Sequence, residues 1–198
     1  MKKLVLISII TLLCFAINVS AQNGNSSLTT EQKMLPFAMG MSLSVVGEMH
    51  DQSNLDALII FQKQMPYWSN ELKPVVEMES DIADYKRMDI SLTATKALRA
   101  KSSDSDKWQM LVGEQFGTIY ALIKKSKMND SPINAGDLKF NIEMISILAN
   151  KAPADIPSKV NSKFKDFGKL KDSSDITSEE NIEKIIEKVK NILNAISD

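Results

Sequence analysis

MLPFAMGMSLSVVG, residues 34–47, is the only long charge-free run after the N-terminal leader, and the fold turns on how it is read. At about 100° per residue, Met34, Ala38, Met41, Val45 and Met49 share one helical face, and Leu35, Met39 and Val46 lie on a second. Gly40, Ser44 and Gly47 occupy the remaining strip, where short side chains let another helix backbone come close. A helix apolar all round belongs in a protein core or a membrane. The run falls short of the roughly 20 residues that a spanning helix needs, so it predicts a buried central helix. Pro36 is harmless near the start of such a helix, where its missing N–H has no partner to lose.

Before this run the chain has Lys2 and Lys3, an apolar stretch from Leu4 to Ile17, and small residues at Val19-Ser20-Ala21. That pattern predicts a secretory signal peptide over 1–21, cleaved after Ala21 so that the mature chain begins at Gln22. Cys14 lies within the leader and follows the bulky Leu13, so no lipid anchor is expected and the mature chain is cysteine-free. Disulfides, thiolate metal sites, haem attachment and cysteine nucleophiles are thereby excluded. Removing the two leader lysines from the 24 basic residues leaves 22 against 25 acidic ones, a formal charge of −3. Such a balance implies neither nucleic acid nor anionic membrane as a partner. The expected location is the periplasm or the exterior.

Residues 22–29 (QNGNSSLT) read as a polar tether. Helices are expected from Thr30 to His50 and from Leu55 to Met65, the second started by the caps in Asp51-Gln52-Ser53-Asn54 and stopped by Pro66. Tyr67 to Lys73 reads as a connection. Pro74 would then open one long helix reaching the break at Ser102, with Val75, Met78, Ile82, Tyr85 and Leu92 on its apolar stripe. Ser102 to Asp106 caps the next helix, in which Trp108, Leu111, Val112, Gln115, Phe116, Ile119, Leu122 and Ile123 fill one arc. Gly113 and Gly117 make a second, small-residue face there, a partner for the Gly40/Gly47 strip. Turn residues over 129–137 precede a helix from Leu138 to Asn150, and Pro153 and Pro157 precede a short one carrying Val160, Phe164 and Phe167.

Thr177 and Glu180 form a capping-box pair for a last helix, with a seam of Ile182, Ile185, Ile186, Val189, Ile192, Leu193 and Ile196. The fold class is therefore all-α: a bundle of about six helices over 30–171, with an amphipathic C-terminal helix at 172–198 packed on the domain or on a partner. A homodimer through that helix is the form the second option would take.

His50 is the only histidine, which excludes any site built on two imidazoles. His50 and Met49, with Glu48, Asp51 and Glu114 nearby in kind, are the residues to consider for a metal, and Met34, Met39 and Met41 add soft donors suited to monovalent copper. Buried methionines more often fill gaps between helices, and a histidine at a helix end is favoured by the dipole, so no metal and no cofactor are assigned. Gly40-Met41-Ser42-Leu43-Ser44 lacks the last glycine and the preceding strand of a nucleophile elbow. Ser162-Lys163-Phe164-Lys165 has the serine–lysine spacing without any companion motif. The carboxylates Glu77, Glu79 and Asp81, or Asp104 and Asp106, do not face each other at such spacings on a helix, which argues against paired-acid catalysis. No catalytic residue is assigned; a helical cell-wall hydrolase would need an acid in a cleft, for which Glu48 is the least poor candidate.

The segment 151–171 carries six lysines against two aspartates, whereas 172–198 carries seven acids against three lysines, so the two are expected to face each other. Lys159, Lys163 and Lys165, with Ile185, Val189 and Ile192, are the candidate partner-binding residues if either segment meets another protein instead. The reading that follows is an exported, non-enzymatic protein-binding protein, of the inhibitor or immunity type that masks a secreted toxin. A membrane-active protein inserting 34–47 is the other class to weigh.

Overall fold

Helix α1 (Leu35–Glu48) is buried at every position except Leu35, Ser44 and Glu48, so the uncharged run is the centre of the molecule as its all-round apolarity demands. The computed structural model describes residues 33–197; the expected leader, the tether and the helix start at Thr30 lie outside them. Pro36 sits in the first turn of α1, and the chain leaves the helix at Met49, which turns to an extended backbone while its N–H still reaches the Val45 carbonyl at 2.9 Å.

After α1 come α2 (Gln52–Gln64), a 3-10 turn (Pro66–Trp68), α3 (Ser69–Val76), α4 (Asp84–Lys101), α5 (Asp104–Asn129), α6 (Ala135–Asn150), α7 (Ser158–Gly168), a second 3-10 turn (Lys169–Asp172) and α8 (Glu179–Ser197). The fold is all-α, with eight α-helices and no strand among the described residues. Helix α5 lies along α1 in the longest contact of the molecule, and α4 flanks α1 as well. Helix α3 bridges α2 and α4, while α6, α7 and α8 build outward in turn from α5.

Side-chain caps start three helices, two of them within the capping clusters expected at 51–54 and 102–106; the third, at Asn134, starts α6 at Ala135, inside the stretch expected to be turn. Asp51 accepts from the Asn54 N–H at 3.0 Å, Ser103 from Asp106 at 3.1 Å, and Asn134 from Gly136 at 2.9 Å, each satisfying an otherwise orphaned donor. At α8 the cap is Ser178 rather than the expected Thr177: its hydroxyl accepts from the Asn181 N–H at 3.4 Å, while Thr177 bonds Asp175 outside the helix.

The close α1–α5 contact depends on missing side chains. A Cβ on Gly113 would overlap the Phe37 carbonyl oxygen, one on Gly40 would overlap that of Met110, and one on Gly117 would stand 2.5 Å from that of Met41. Gly40 thus meets the helix that carries Gly113 and Gly117, as expected. Gly47 instead lies against α4, where a Cβ would come within 2.9 Å of the Ser91 Cβ.

Between α2 and α4 the architecture departs from the periodicity. The segment 67–73 is no connection: the 3-10 turn runs straight into α3, anchored by buried Trp68, Leu72 and Val75, and Pro74 falls inside that helix instead of opening one. Nor does one long helix follow, because the chain leaves the helix at Glu77 and re-enters at Asp84. Val75, Met78 and Ile82 therefore belong to no common stripe with Tyr85 and Leu92. The break lets α4 turn back beside α1, a long-range requirement that local spacing does not encode.

Most of the core is one cluster reaching from α1 to α8, beside a small second one of Val45, Met49 and Ala121. At its middle, α7 inserts Phe164 between Phe37, Trp108 and Phe116, with ring centroids 5.6, 5.9 and 5.8 Å away. The Phe167 ring packs against Phe116 at 4.7 Å, tilted by 57°. The Trp108 indole N–H donates to the Leu148 carbonyl at 2.8 Å, tying α5 to α6. Ile185, Ile192, Leu193 and Ile196 of α8 close this core at 1% exposure each, so the C-terminal seam is covered by its own domain.

Candidate partner-binding surface

The sequence-selected polar residues do not assemble into one site. Glu48 is held by the Lys125 ammonium at 2.8 Å, Asp51 pairs with Lys124, Glu114 pairs with Arg99, and His50 stands exposed between α1 and α2. Met49 is buried with Val45 and Ala121, and Met34, Met39 and Met41 lie in the core. Among the described residues no group of three His, Cys, Asp or Glu side chains could hold a metal ion.

Ser42 is fully buried on α1, Ser44 shares a 3.0 Å hydrogen bond with Thr118, and the exposed Ser162 donates its hydroxyl to the Lys159 carbonyl.

The electrostatics of these pairs are set by their burial. Burial alone would raise the Asp51 carboxyl, but the Lys124 ammonium and two hydrogen bonds from Asn54 outweigh it and hold the group below the usual aspartate range. For Glu114 burial wins over the Arg99 guanidinium, and the carboxyl is pushed up. Both are ties between different helices.

The basic and acidic tail segments meet with the opposite polarity from that expected. Lys188 of the acidic helix α8 pairs with Asp166 of the basic helix α7, whose carboxyl this ammonium holds low. Lys159, Lys163 and Lys165 are exposed and have no ion-pair partner among the described residues. Lys163, Asp166, Lys184, Glu187, Lys188 and Asn191 line a polar groove of about 120 Å³. That is below the roughly 300 Å³ at which small-molecule sites begin. Ile185, Val189 and Ile192 are buried in their own core, so a partner docking on α8 would have to use the other face.

Helix α4 carries the feature that spacing alone misassigns. Its inner face is small and polar: Arg87, Ser91, Ala94, Thr95 and Leu98 are buried. Ser91 donates to the Leu43 carbonyl at 2.5 Å, and the tight approach of Gly47 leaves no room there for a larger residue. Three large apolar residues point outward, with Tyr85 71%, Met88 40% and Leu92 49% exposed, while Leu98 is fully buried.

Spaced three and four apart, these three side chains form one stripe on the helix surface. A second outward pair, Phe140 and Ile147, lies on α6. The recurrence of Ser91, Ala94, Thr95 and Leu98 is the available sign in the sequence that α4 packs closely by its small side. Among the described residues no helix is long and apolar enough to cross a membrane. No protein-family model matches the chain, and neither a curated protein nor a solved structure shows significant similarity to it.

Proposed function

We propose that this protein is exported and works without catalysis, binding and masking another protein in the manner of an inhibitor or immunity protein. The observation that carries the reading is the inverted helix α4, which buries Arg87, Ser91 and Thr95 and turns Tyr85, Met88 and Leu92 to solvent. Contiguous exposed apolar side chains on a folded domain mark a docking surface, because leaving them wet forgoes about 25 cal/mol per Å² that a partner would recover. The engagement of Glu48 by Lys125 is in keeping with a non-enzymatic role, since the acid considered for a hydrolase is held in an ion pair.

The test pairs the purified chain with secreted toxins encoded beside its gene and follows binding by calorimetry. A one-to-one complex tighter than micromolar, lost in the Tyr85→Ser/Leu92→Ser chain, is the expected result. Absence of any complex at micromolar concentrations would overturn the reading. Export is tested separately by N-terminal sequencing of the protein recovered outside the cytoplasm, which is expected to begin at Gln22.

A further inference from the structure

Helix α4 is held down unevenly along its length. Its C-terminal half, 93–101, buries Ala94, Thr95 and Leu98, and three further contacts tie its end: Arg99 pairs with Glu114 of α5, Lys101 pairs with Glu71 of α3, and the Tyr67 hydroxyl donates to the Lys101 carbonyl at 3.1 Å. The N-terminal half, 84–92, buries only Arg87 and Ser91, and the half-buried Ile90 is its one apolar residue packed on the core. Among the described residues, the bond from the Ser91 hydroxyl to the Leu43 carbonyl is the one side-chain hydrogen bond joining this half to another helix. The chain leading into it, 77–83, is irregular and mostly exposed.

Arg87 loosens this half instead of fastening it. Its side chain is 7% exposed, its Nε is buried with no hydrogen-bond partner among the described residues, and its one carboxylate, Asp84 at 2.5 Å, lies three residues back on the same helix and is 88% exposed. A buried charge gives up its hydration, and a single solvent-facing partner returns little of that loss. Because both members of the pair ride on α4, lifting the helix breaks no ion pair and gives the guanidinium back to water. Against this stand Ile90, the Ser91 bond and the close seat of Ser91 on Gly47, where an added Cβ would meet the Ser91 Cβ at 2.9 Å. Segments with few buried apolar contacts are the ones that open while the rest of a domain stays folded.

We infer that the N-terminal half of α4 is a lid on α1: 84–92 lifts from Leu43 and Gly47 as a unit, hinged at the anchored turn 98–101 and freed by the irregular 77–83, while the other helices stay in place. Opening bares the Gly47 strip of the central helix, where the missing side chain leaves a seat for a close-packing helix. A detached piece this short does not stay helical in water, so lifting also frees its amides. The lid goes beyond the docking proposal and stands without it.

Hydrogen exchange of the full chain, followed amide by amide by NMR, tests the lid. The amides of 88–92 are expected to exchange as a group, at least about a hundredfold faster than those of 112–119 in α5, and with little dependence on added urea because a local opening exposes little surface. Arg87→Met, which keeps an unbranched side chain there and removes the buried charge, is expected to slow 88–92 about tenfold. Ser91→Ala, which deletes the bond to Leu43, is expected to speed 88–92 about tenfold, and 112–119 should be unchanged in both variants.

Exchange of 88–92 at the rate of 112–119 would overturn the inference, since this half would then open only with the whole molecule. Fast exchange confined to 84–87 would overturn it as ordinary fraying of a helix end. An Arg87→Met chain in which 88–92 exchanges as fast as in the natural chain, or faster, would do the same by showing that the guanidinium is not what loosens the helix.

Discussion

Phe164 touches three aromatic rings contributed by two other helices, so removing its ring empties the place where α1, α5 and α7 meet. Phe164→Ala is expected to cost about 3–5 kcal/mol, the transfer loss plus an unfilled cavity, as measured by urea denaturation. A loss under about 1 kcal/mol would mean that the cluster collapses around the gap. Asp51 is informative in a different way. Its folded carboxyl titrates below the ordinary aspartate value of 3.8, so its contribution to stability is present above that pH and is lost as the pH falls through the lower, folded value. Asp51→Asn keeps an acceptor for the α2 cap and removes the charge. Its stability is expected to depend less on pH below 3.8 than that of the natural chain, a difference readable from denaturation midpoints across the acid range.

At the scale of the element, α4 separates what periodicity can and cannot settle. Helical spacing predicts Tyr85 and Leu92 in the interior, yet spacing fixes only which residues share a face. Which face meets the core is decided by the neighbour. Gly47 of α1 admits Ser91 at a distance where no leucine would fit, so the small side turns inward and the apolar side is left to solvent. Two substitutions test this orientation by thermal or chemical denaturation. Leu92→Ser is expected to change stability by less than about 0.5 kcal/mol, as an exposed site should, whereas Leu98→Ala on the inner face should cost about 2–5 kcal/mol. The reverse order would mean that α4 is rotated by half a turn.

For the whole molecule, the question is whether α8 is an appendage or part of the core. Ile182, Ile185, Val189, Ile192, Leu193 and Ile196 are all buried and belong to the same cluster as most of α1. Six such side chains at about 1.5–3 kcal/mol each match the entire 5–15 kcal/mol that separates a folded domain from its unfolded chain. The full chain should therefore unfold in a single transition with α8 reporting alongside the rest. A chain ending at Ser178 is expected to lose that transition and to bind hydrophobic dyes. A cooperative transition in the shortened chain would show instead that α8 docks on a domain already complete.

By itself the sequence determined that this protein is helical, that 34–47 lies at its centre, that Asp51 and Ser103 lie among the residues that begin helices, and that α7 and α8 each carry a one-sided apolar seam. Each of these follows from short-range physics: an uncharged run with no water-compatible face, a side-chain oxygen reaching a bare N–H, or apolar residues confined to one side. Only the tertiary structure decided the break at 77–83, the pairing of Gly47 with α4, the outward turn of Tyr85, Met88 and Leu92, and the ion pairs that tie Glu48 to Lys125 and Asp51 to Lys124. Those depend on the shape and charge of segments far away in the chain, and a local repeat of three and four carries no record of what will lie opposite it.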